Sequence, residues 1–105
     1  MNKRRTLLVD QMQRSAGKAE ALLKQLANAN RLMLLCHLVS GEKSVGELAQ
    51  SLGLSQSALS QHLARLREAG LVESDKRGLM VYYRISSIEA QALLSVLDMI
   101  YCRKT

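Results

Sequence analysis

The segment SVGELAQSLGLSQSALSQHLARLREAG, which begins at Ser44 and ends at Gly70, constrains the fold of this chain more than any other. Ser44 and Glu47 have the spacing of a reciprocal capping box, and Gly53 is placed to end the helix that they begin. A second helix restarts at once with Ser55 as its N-cap, and Gly70 ends it. Two short capped helices joined by a glycine turn predict a helix-turn-helix unit.

Helical periodicity also precedes this unit. Apolar residues at helical spacing predict a helix over residues 7–27 and a second helix over residues 31–39, interrupted by the sequence ANAN. The basic residues 1–6 are expected to form a disordered tail.

Alternating side chains follow the unit in residues 71–85, where the period of two predicts a β-hairpin with its turn near residues 76–78. The side chains expected on its buried face are Leu79, Val81, Tyr83 and Ile85.

A last helix is predicted from a second capping box, formed by Ser86 and Glu89, to about Cys102. It carries more apolar faces than one intramolecular contact can cover, and we therefore expect it to lie in a dimer interface beside the first helix. Its apolar residues are Leu93, Leu94, Val96, Leu97, Met99 and Ile100.

Length and charge narrow the classes of protein. The 105 residues contain no proline and no repeat, and they predict one domain over residues 1–105, mainly α-helical with a small β-hairpin. The net charge of +6 favours a polyanionic partner, either nucleic acid or an acidic membrane surface. No apolar run is long enough for a membrane span or a signal peptide, and we expect a cytoplasmic protein without a membrane partner.

The second helix of the helix-turn-helix unit presents a candidate DNA-reading face. Leu59, Leu63 and Leu66 form its inward stripe, which leaves small and polar side chains outward, of the kinds that reach base edges and phosphates in a major groove. The candidates are Ser55, Gln56, Ser57, Ser60, Gln61, His62 and Arg65, with Lys76 and Arg77 of the hairpin beside them.

Each of these candidates also has an ordinary interpretation. The outward face can be a solvated surface, the basic hairpin can serve solubility, and His62 can pack beside the leucines rather than reach a phosphate. The combination of a capped two-helix unit, a positive net charge and a basic hairpin favours double-stranded DNA as the partner.

The order of these elements, and above all the segment LSQSALSQHLARLREAGLV, resembles the ArsR/SmtB family of bacterial winged-helix transcription regulators. The resemblance covers about residues 18–102. It implies a homodimer formed by the first and last helices, which binds a palindromic operator with helix 56–69 in the groove and the hairpin as a wing. Most members repress transcription and are released from DNA by an inducer.

Metal sensors of that family carry either a Cys-x-Cys pair or a set of Asp, His and Glu on the last helix. Here the matching thiolate positions hold Ser44 and Gly46, and the last helix has no histidine. His37 follows Cys36 directly, but neighbours on a helix point about 100° apart and make a poor chelate. We therefore expect no metal and no cofactor, with metal-responsive repression as the alternative.

Two cysteines, Cys36 and Cys102, remain to be explained. From the residues alone, Cys36 is either a small core hydrophobe or half of a conditional switch. The chain resembles the BigR, SqrR and HlyU type regulators, which carry one cysteine at each of these places and no metal motif. That resemblance implies a sensor of reactive sulfur species or oxidants, in which a disulfide or polysulfide bridge releases DNA.

The environment predicted for each thiol suggests an order of attack. The aliphatic surroundings of Cys36 disfavour its thiolate, while Cys102 lies near the chain end beside Arg103 and Lys104. We expect Cys102 to attack the reactive sulfur species or oxidant first, and Cys36 to be the resolving cysteine that then closes the bridge.

An enzyme that uses Cys36 as a thiol peroxidase or thiotransferase is the alternative from another class. The chain has no Cys-x-x-Cys, no phosphate loop and no group of carboxylates to support it. We expect no enzymatic activity.

Overall fold

A computed structural model describes residues 3–103, with side chains from residue 7 onward. The fold is mainly helical with a small antiparallel sheet, which confirms the predicted fold class. The elements of this part of the chain are α1 (Lys3–Leu26), α2 (Ala29–Leu38), β1 (Lys43–Ser44), α3 (Val45–Leu52), α4 (Gln56–Glu68), β2 (Val72–Arg77), β3 (Met80–Ile85) and α5 (Ile88–Tyr101).

The core is built from leucines of α2, α3 and α4. At least 99% of the surface of each is shielded from solvent, and the set is Leu34, Leu35, Leu48, Leu59, Leu63 and Leu66. Burying one such side chain stabilises the fold by about 1.5–3 kcal/mol. The predicted inward stripe of α4 is thus confirmed, and it fixes which face of that helix points to solvent.

The caps of the helix-turn-helix unit form as predicted. Ser44 Oγ accepts a hydrogen bond from the backbone N–H of Glu47 at 3.1 Å, and Glu47 Oε1 accepts one from the N–H of Ser44 at 3.2 Å. Gly53 ends α3 with φ of 64°, a left-handed conformation that glycine adopts without strain. Ser55 Oγ then accepts from the N–H of Ala58 at 3.1 Å and begins α4.

The boundaries of the first two helices differ from the prediction. The α1 helix begins at Lys3 rather than at residue 7, so residues 3–6 of the expected tail have a helical backbone, and residues 1–2 lie outside the described residues. The α2 helix begins at Ala29 because Asn28 Oδ1 accepts a hydrogen bond from the N–H of Arg31 at 3.0 Å.

The sheet has the strand order β1-β3-β2, all antiparallel. The predicted turn is displaced, because Gly78 and Leu79 form a two-residue loop with φ of 62° at Gly78. Leu79 is therefore 99% exposed rather than buried, and Lys76 and Arg77 lie at the end of β2. Strand β1, with only two residues, was not predicted.

The last helix begins one residue later than the proposed capping box. Ser87, not Ser86, is the N-cap, and its Oγ accepts from the N–H of Ala90 at 3.0 Å. The Ser86 hydroxyl instead donates to the carbonyl of Gly70 at 3.3 Å. The sequence pattern selected Ser86 because Glu89 lies three positions after it, as a capping box requires. Three positions after Ser87 lies Ala90, so the actual cap is a serine without the reciprocal glutamate.

Candidate nucleic-acid interface and thiol pair

The outward face of α4 is polar and exposed. Two adjacent stripes run along it at helical spacing, one formed by Gln56, Ser60 and Ala64, the other by Ser57, Gln61 and Arg65. Ser55 is also exposed, although its Oγ is occupied as the N-cap acceptor. The small side chains leave room for a close approach by a second molecule.

A groove of about 880 Å³ separates α4 from the hairpin, which we call the wing (β2, β3 and the Gly78–Leu79 turn). Gln56, Ser60 and Ala64 line one wall, and Leu79 and Met80 of the wing line the other. The helix and the wing therefore border one continuous concave surface. A concave surface of this kind can follow the outline of a DNA duplex.

Arg67, which the sequence analysis did not single out, lines the same groove in the last turn of α4. Its position one helical turn after Ala64 was the available signal, because residues three apart share a helix face. The prediction stopped at Arg65 because base-reading residues concentrate at the N-terminal end of such a helix.

Arg77, at the end of β2 on the wing, is held by three neighbours, of which Glu42 lies outside the wing. Its two Nη atoms donate to the carboxylate oxygens of Glu42 at 2.7 and 2.8 Å, and its Nε donates to Asp75 Oδ2 at 3.0 Å. The guanidinium carbon lies 4.6 Å from the ring centroid of Tyr82.

The hydrogen bond from Arg77 lowers the pKa of Glu42 below its ordinary value, and the two carboxylates raise the pKa of Arg77. Both partners of this ion pair are therefore charged at neutral pH. Lys76, by contrast, is exposed at the neighbouring position, and no described carboxylate lies within ion-pair distance of it.

His62 is half-buried beside the core stripe of α4. Its Nδ1 is shielded from solvent and has no hydrogen-bond partner among the described residues. Burial, followed by the positive charges of Arg31 and Arg65, lowers the pKa of His62. This geometry favours the packed alternative for a neutral imidazole, and contact between His62 and DNA stays a prediction.

The two cysteines, 66 positions apart in the chain, line one groove between α2 and α5. Its volume is about 740 Å³, and its apolar walls include Leu32, Met33, Leu94 and Leu97. Both cysteines are free thiols and both are exposed, so Cys36 is not a core residue of the single chain. Cys102 is the C-cap of α5, with its N–H bonded to the carbonyl of Asp98 at 2.8 Å.

Partial burial raises the pKa of Cys36, and the charge of a Cys102 thiolate raises it further. This second cause is consistent with the position of both cysteines on one groove. Arg103, expected to favour the Cys102 thiolate, donates from Nε to Asp98 Oδ2 at 2.8 Å, so its charge is shared with a carboxylate.

Arg31 joins α1 to α2. This side chain is buried, and it donates from Nε to the carbonyl of Gln25 at 2.9 Å and from Nη2 to the carbonyl of Lys24 at 3.1 Å. These carbonyls lie in the last turn of α1, where helices leave acceptors unsatisfied. The helix that carries Cys36 is therefore fastened directly to the end of α1.

Apolar side chains remain exposed along α1 and α5. The radius of gyration is 16.2 Å, against about 13 Å for a compact domain of about 100 residues, since α1 extends beyond the core. The exposed set comprises Leu7, Leu8, Val9, Met12 and Leu23 on α1, and Ile88, Val96, Met99, Ile100 and Tyr101 on α5.

Within residues 3–103, no three side chains of the types His, Cys, Asp and Glu come together as a metal site would require. None of the helices in this range has the length and apolar character needed to cross a membrane.

Comparison with known proteins gives consistent matches. Residues 28–74 match the model of the family described as bacterial regulatory protein, arsR family. The transcriptional activator HlyU of Vibrio cholerae serotype O1 is 48% identical over 95 residues, which cover 90% of this chain and 88% of HlyU. The biofilm growth-associated repressor of Xylella fastidiosa strain Temecula1 is 43% identical over 93 residues, covering 89% and 82% of the two chains.

A solved structure of reduced HlyU from Vibrio cholerae N16961 superimposes with a TM-score of 0.84 at 49% identity, covering 89% of this chain and 98% of that one. The exposed face of α4, the wing beside it and these relatives lead to one conclusion. The chain belongs to the arsR family of bacterial regulatory proteins and is a transcriptional regulator with a winged helix-turn-helix fold.

Proposed function

We propose that this regulator is a homodimeric repressor that binds a palindromic operator and is released when Cys36 and Cys102 become bridged. One observation carries the proposal: two exposed thiols from distant parts of the sequence line a single groove between α2 and α5. A bond between them would join the helix that precedes the helix-turn-helix unit to the helix proposed for the dimer interface.

The exposed stripes of α4 would supply the base contacts of the operator complex. Gln56 and Gln61 can each pair with the edge of an adenine, and Ser57 and Ser60 can serve either base pair. Phosphates would be bound by Arg65, Arg67 and Lys76. Ser55 would serve as the N-cap of α4. Two α4 helices in a dimer would read half-sites roughly 10 base pairs apart.

The dimer would form through α1 and α5. Their exposed apolar side chains are the largest such set on the described chain, and surfaces of this kind mark protein–protein contacts. Because α2 is fastened to α1 through Arg31, a displacement of α2 would reach the dimer interface directly.

Oxidation by a hydroperoxide proceeds in two balanced steps. The Cys102 thiolate attacks one peroxide oxygen and breaks the O–O bond, which gives a sulfenic acid and an alkoxide or hydroxide. That leaving group takes up the proton lost by Cys102 and departs as the alcohol or water. The Cys36 thiolate then attacks the Cys102 sulfur, forming the disulfide and expelling hydroxide, which takes up the proton lost by Cys36.

Persulfides allow a longer bridge. Each thiolate attacks the outer sulfur of a persulfide molecule and releases its thiol, which leaves a persulfide on each cysteine. The terminal sulfur of the Cys102 persulfide then attacks the inner sulfur on Cys36, expels hydrosulfide and leaves a trisulfide. In total, two persulfide molecules and two cysteine thiols yield one trisulfide, two thiols and one hydrogen sulfide.

Cys102 is proposed as the first attacker. The raised pKa of Cys36 lowers its thiolate fraction at neutral pH, since only the thiolate is a nucleophile. After the first step the Cys102 thiolate charge is gone, which removes one of the two causes that raise the pKa of Cys36. The resolving thiol is therefore easier to ionise once the attacking thiol has reacted.

Intact mass spectrometry beside an operator-binding assay tests the switch. Wild type, Cys36→Ser and Cys102→Ser are treated with glutathione persulfide or hydrogen peroxide, with reduced glutathione as the control reagent. Wild type should lose two hydrogens for a disulfide, or gain one sulfur and lose two hydrogens for a trisulfide. Its operator affinity should fall about 5- to 150-fold.

Both serine variants should stay on the operator under the same treatment. If either is released as wild type is, or if wild type gains no intramolecular bridge, the switch is rejected. The order of attack has its own readout: sulfenic acid should form faster on Cys102 of Cys36→Ser than on Cys36 of Cys102→Ser.

Metal-responsive repression is the alternative within the family. We expect zinc, arsenite and cadmium at inducing concentrations to leave the operator complex intact, because the family's metal-binding positions hold Ser44 and Gly46 here. Stoichiometric release by a metal that persists in Cys36→Ser would establish ligands outside the pair of thiols.

A further inference from the structure

We propose that Arg77 is a positioning residue of the wing, which it fastens to the loop after α2 through Glu42, and that it does not serve as a phosphate contact. The inference rests on operator binding under the proposed function. It assigns a role to Glu42, a residue outside the proposed DNA surface.

The positive charge of Arg77 is paired with two carboxylates. Glu42 binds both Nη atoms at 2.7 and 2.8 Å, and Asp75 binds Nε at 3.0 Å. One guanidinium faces two carboxylates, so the charge of Arg77 is already compensated before a DNA phosphate could approach it. Because Glu42 has a lowered pKa, its carboxylate remains ionised at the pH at which the protein binds DNA.

Geometry also indicates a positioning role. A bidentate arginine–carboxylate pair fixes direction as well as distance, and stacking on Tyr82 restricts the guanidinium plane. A lysine at this position could supply charge to a phosphate, but it could not reproduce the two parallel hydrogen bonds.

The wing needs such a contact because its outer part is a two-stranded ribbon. Strand β1 pairs with β3 only at Lys43 opposite Tyr83 and Ser44 opposite Tyr82. Beyond that point β2 and β3 hold each other alone, and two-stranded ribbons are marginally stable. Arg77 pairs with Met80 at the last step before the turn, so its bond to Glu42 connects the end of the ribbon to the body of the protein.

The effect should be modest, because the side chains of Arg77 and Glu42 are 48% and 36% exposed and water screens their attraction. Loosening the wing should weaken operator binding by up to about fivefold, the upper end of the energies of exposed ion pairs. The sign of the effect at Glu42, rather than its size, separates the two roles of Arg77.

The experiment measures operator affinity of the full-length protein against salt concentration for Glu42→Gln, Arg77→Gln, Arg77→Lys and the double variant Glu42→Gln/Arg77→Gln. For a positioning residue, all three single variants weaken binding, the double variant is no weaker than Arg77→Gln, and the salt slope is unchanged. For a phosphate contact, Glu42→Gln strengthens binding by freeing the arginine, Arg77→Lys binds like wild type, and Arg77→Gln lowers the slope by about one.

Glu73→Gln is the matched control. Glu73 pairs with Arg84 at 2.7 Å within the same two strands, so its substitution removes one carboxylate and one wing ion pair without touching the loop after α2. The proposal is overturned if Glu42→Gln does not bind more weakly than Glu73→Gln, or if Arg77→Gln lowers the salt slope by about one.

A measurement without DNA separates failure of this proposal from failure of operator binding. The Nη–H signals of Arg77 in a nitrogen–proton NMR spectrum should exchange slowly with water in wild type and in Glu73→Gln, and rapidly in Glu42→Gln, because both Nη atoms donate to Glu42. Equal exchange rates in the three proteins would overturn the positioning role even if no operator were recognised. Thermal unfolding of every variant shows whether the fold is retained.

Discussion

Gln61 lies in the middle of an exposed stripe of α4, where a single amide can discriminate between bases. We expect Gln61→Ala to lower discrimination at one base pair of each half-site by about 1–3 kcal/mol, because the bidentate pairing with adenine is lost. Affinities for operators with single base-pair changes measure this directly. Equal discrimination at every position before and after the substitution would contradict a base contact.

Lys76 provides the complementary case at the same scale. It is exposed near the end of β2, opposite Val81 of the groove lining, and a phosphate contact there reads no sequence. Lys76→Gln should weaken specific and random DNA alike and lower the salt slope by about 0.9. A change in base preference in this variant would mean that the wing reads base edges.

We expect His62 to make the stability of the protein depend on pH. Because burial and two arginines lower its pKa in the folded state, the unfolded chain binds the proton more readily, at an ordinary pKa of about 6.5. The free energy of unfolding should therefore fall as the pH drops through and below that value, until the folded state is protonated as well.

Urea titrations at about pH 7.5 and about pH 5.5, on either side of the ordinary histidine pKa, measure this loss. His62→Gln should lose less free energy of unfolding between the two pH values than wild type. An identical loss in His62→Gln would show that other groups account for the pH dependence.

At the scale of single elements, the adjacent serines before α5 offer a matched pair. Ser87→Ala should lower the free energy of unfolding by about 1 kcal/mol, because the N–H of Ala90 loses its cap. Ser86→Ala removes only an exposed bond of 3.3 Å to a carbonyl and should cost clearly less. Chemical denaturation of both variants decides which serine is the cap, and a reversed order would contradict the assignment.

The elements that sequence predicts well are those fixed by local chemistry. Ser44 with Glu47, Gly53 and Ser55 act within one helical turn of their own positions, so the helix-turn-helix unit could be predicted from local sequence. The inward stripe of α4 could also be predicted from local sequence, and the burial of Leu59, Leu63 and Leu66 confirms it.

Elements that depend on distant pairing were predicted poorly. Strand β1 exists because Lys43 and Ser44 meet β3, some forty residues away, and two residues carry no periodicity. Leu79 matched the alternation of a strand, but the glycine turn placed it at the tip of the wing. Glu42 was missed as well, since its partner Arg77 is 35 residues distant.

At the scale of the whole molecule, the proposed dimer interface on α5 can be tested by one substitution. Met99→Glu places a charge on the exposed apolar face of α5, and burying an unpaired charge in an interface is strongly unfavourable. Sedimentation should show a monomer, with operator affinity reduced about tenfold or more, the energetic range of an interface hot spot.

Leu79→Glu is the control for this substitution, since it introduces the same charge at an exposed leucine in the turn of the wing, outside α1 and α5. It should remain dimeric. A dimeric Met99→Glu protein, or a monomer that retains full operator affinity, would contradict an interface formed by α5.

The distribution of aromatic residues gives this protein a built-in optical signal. The sequence has no tryptophan and no phenylalanine, and its three tyrosines fall at two places. Tyr82 and Tyr83 lie on β3 of the wing, while Tyr101 lines the groove of Cys36 and Cys102. Tyrosine emission, which tryptophan would otherwise mask, therefore comes from the wing and from the thiol groove, and single Tyr→Phe substitutions allow each to be observed in turn without an attached dye.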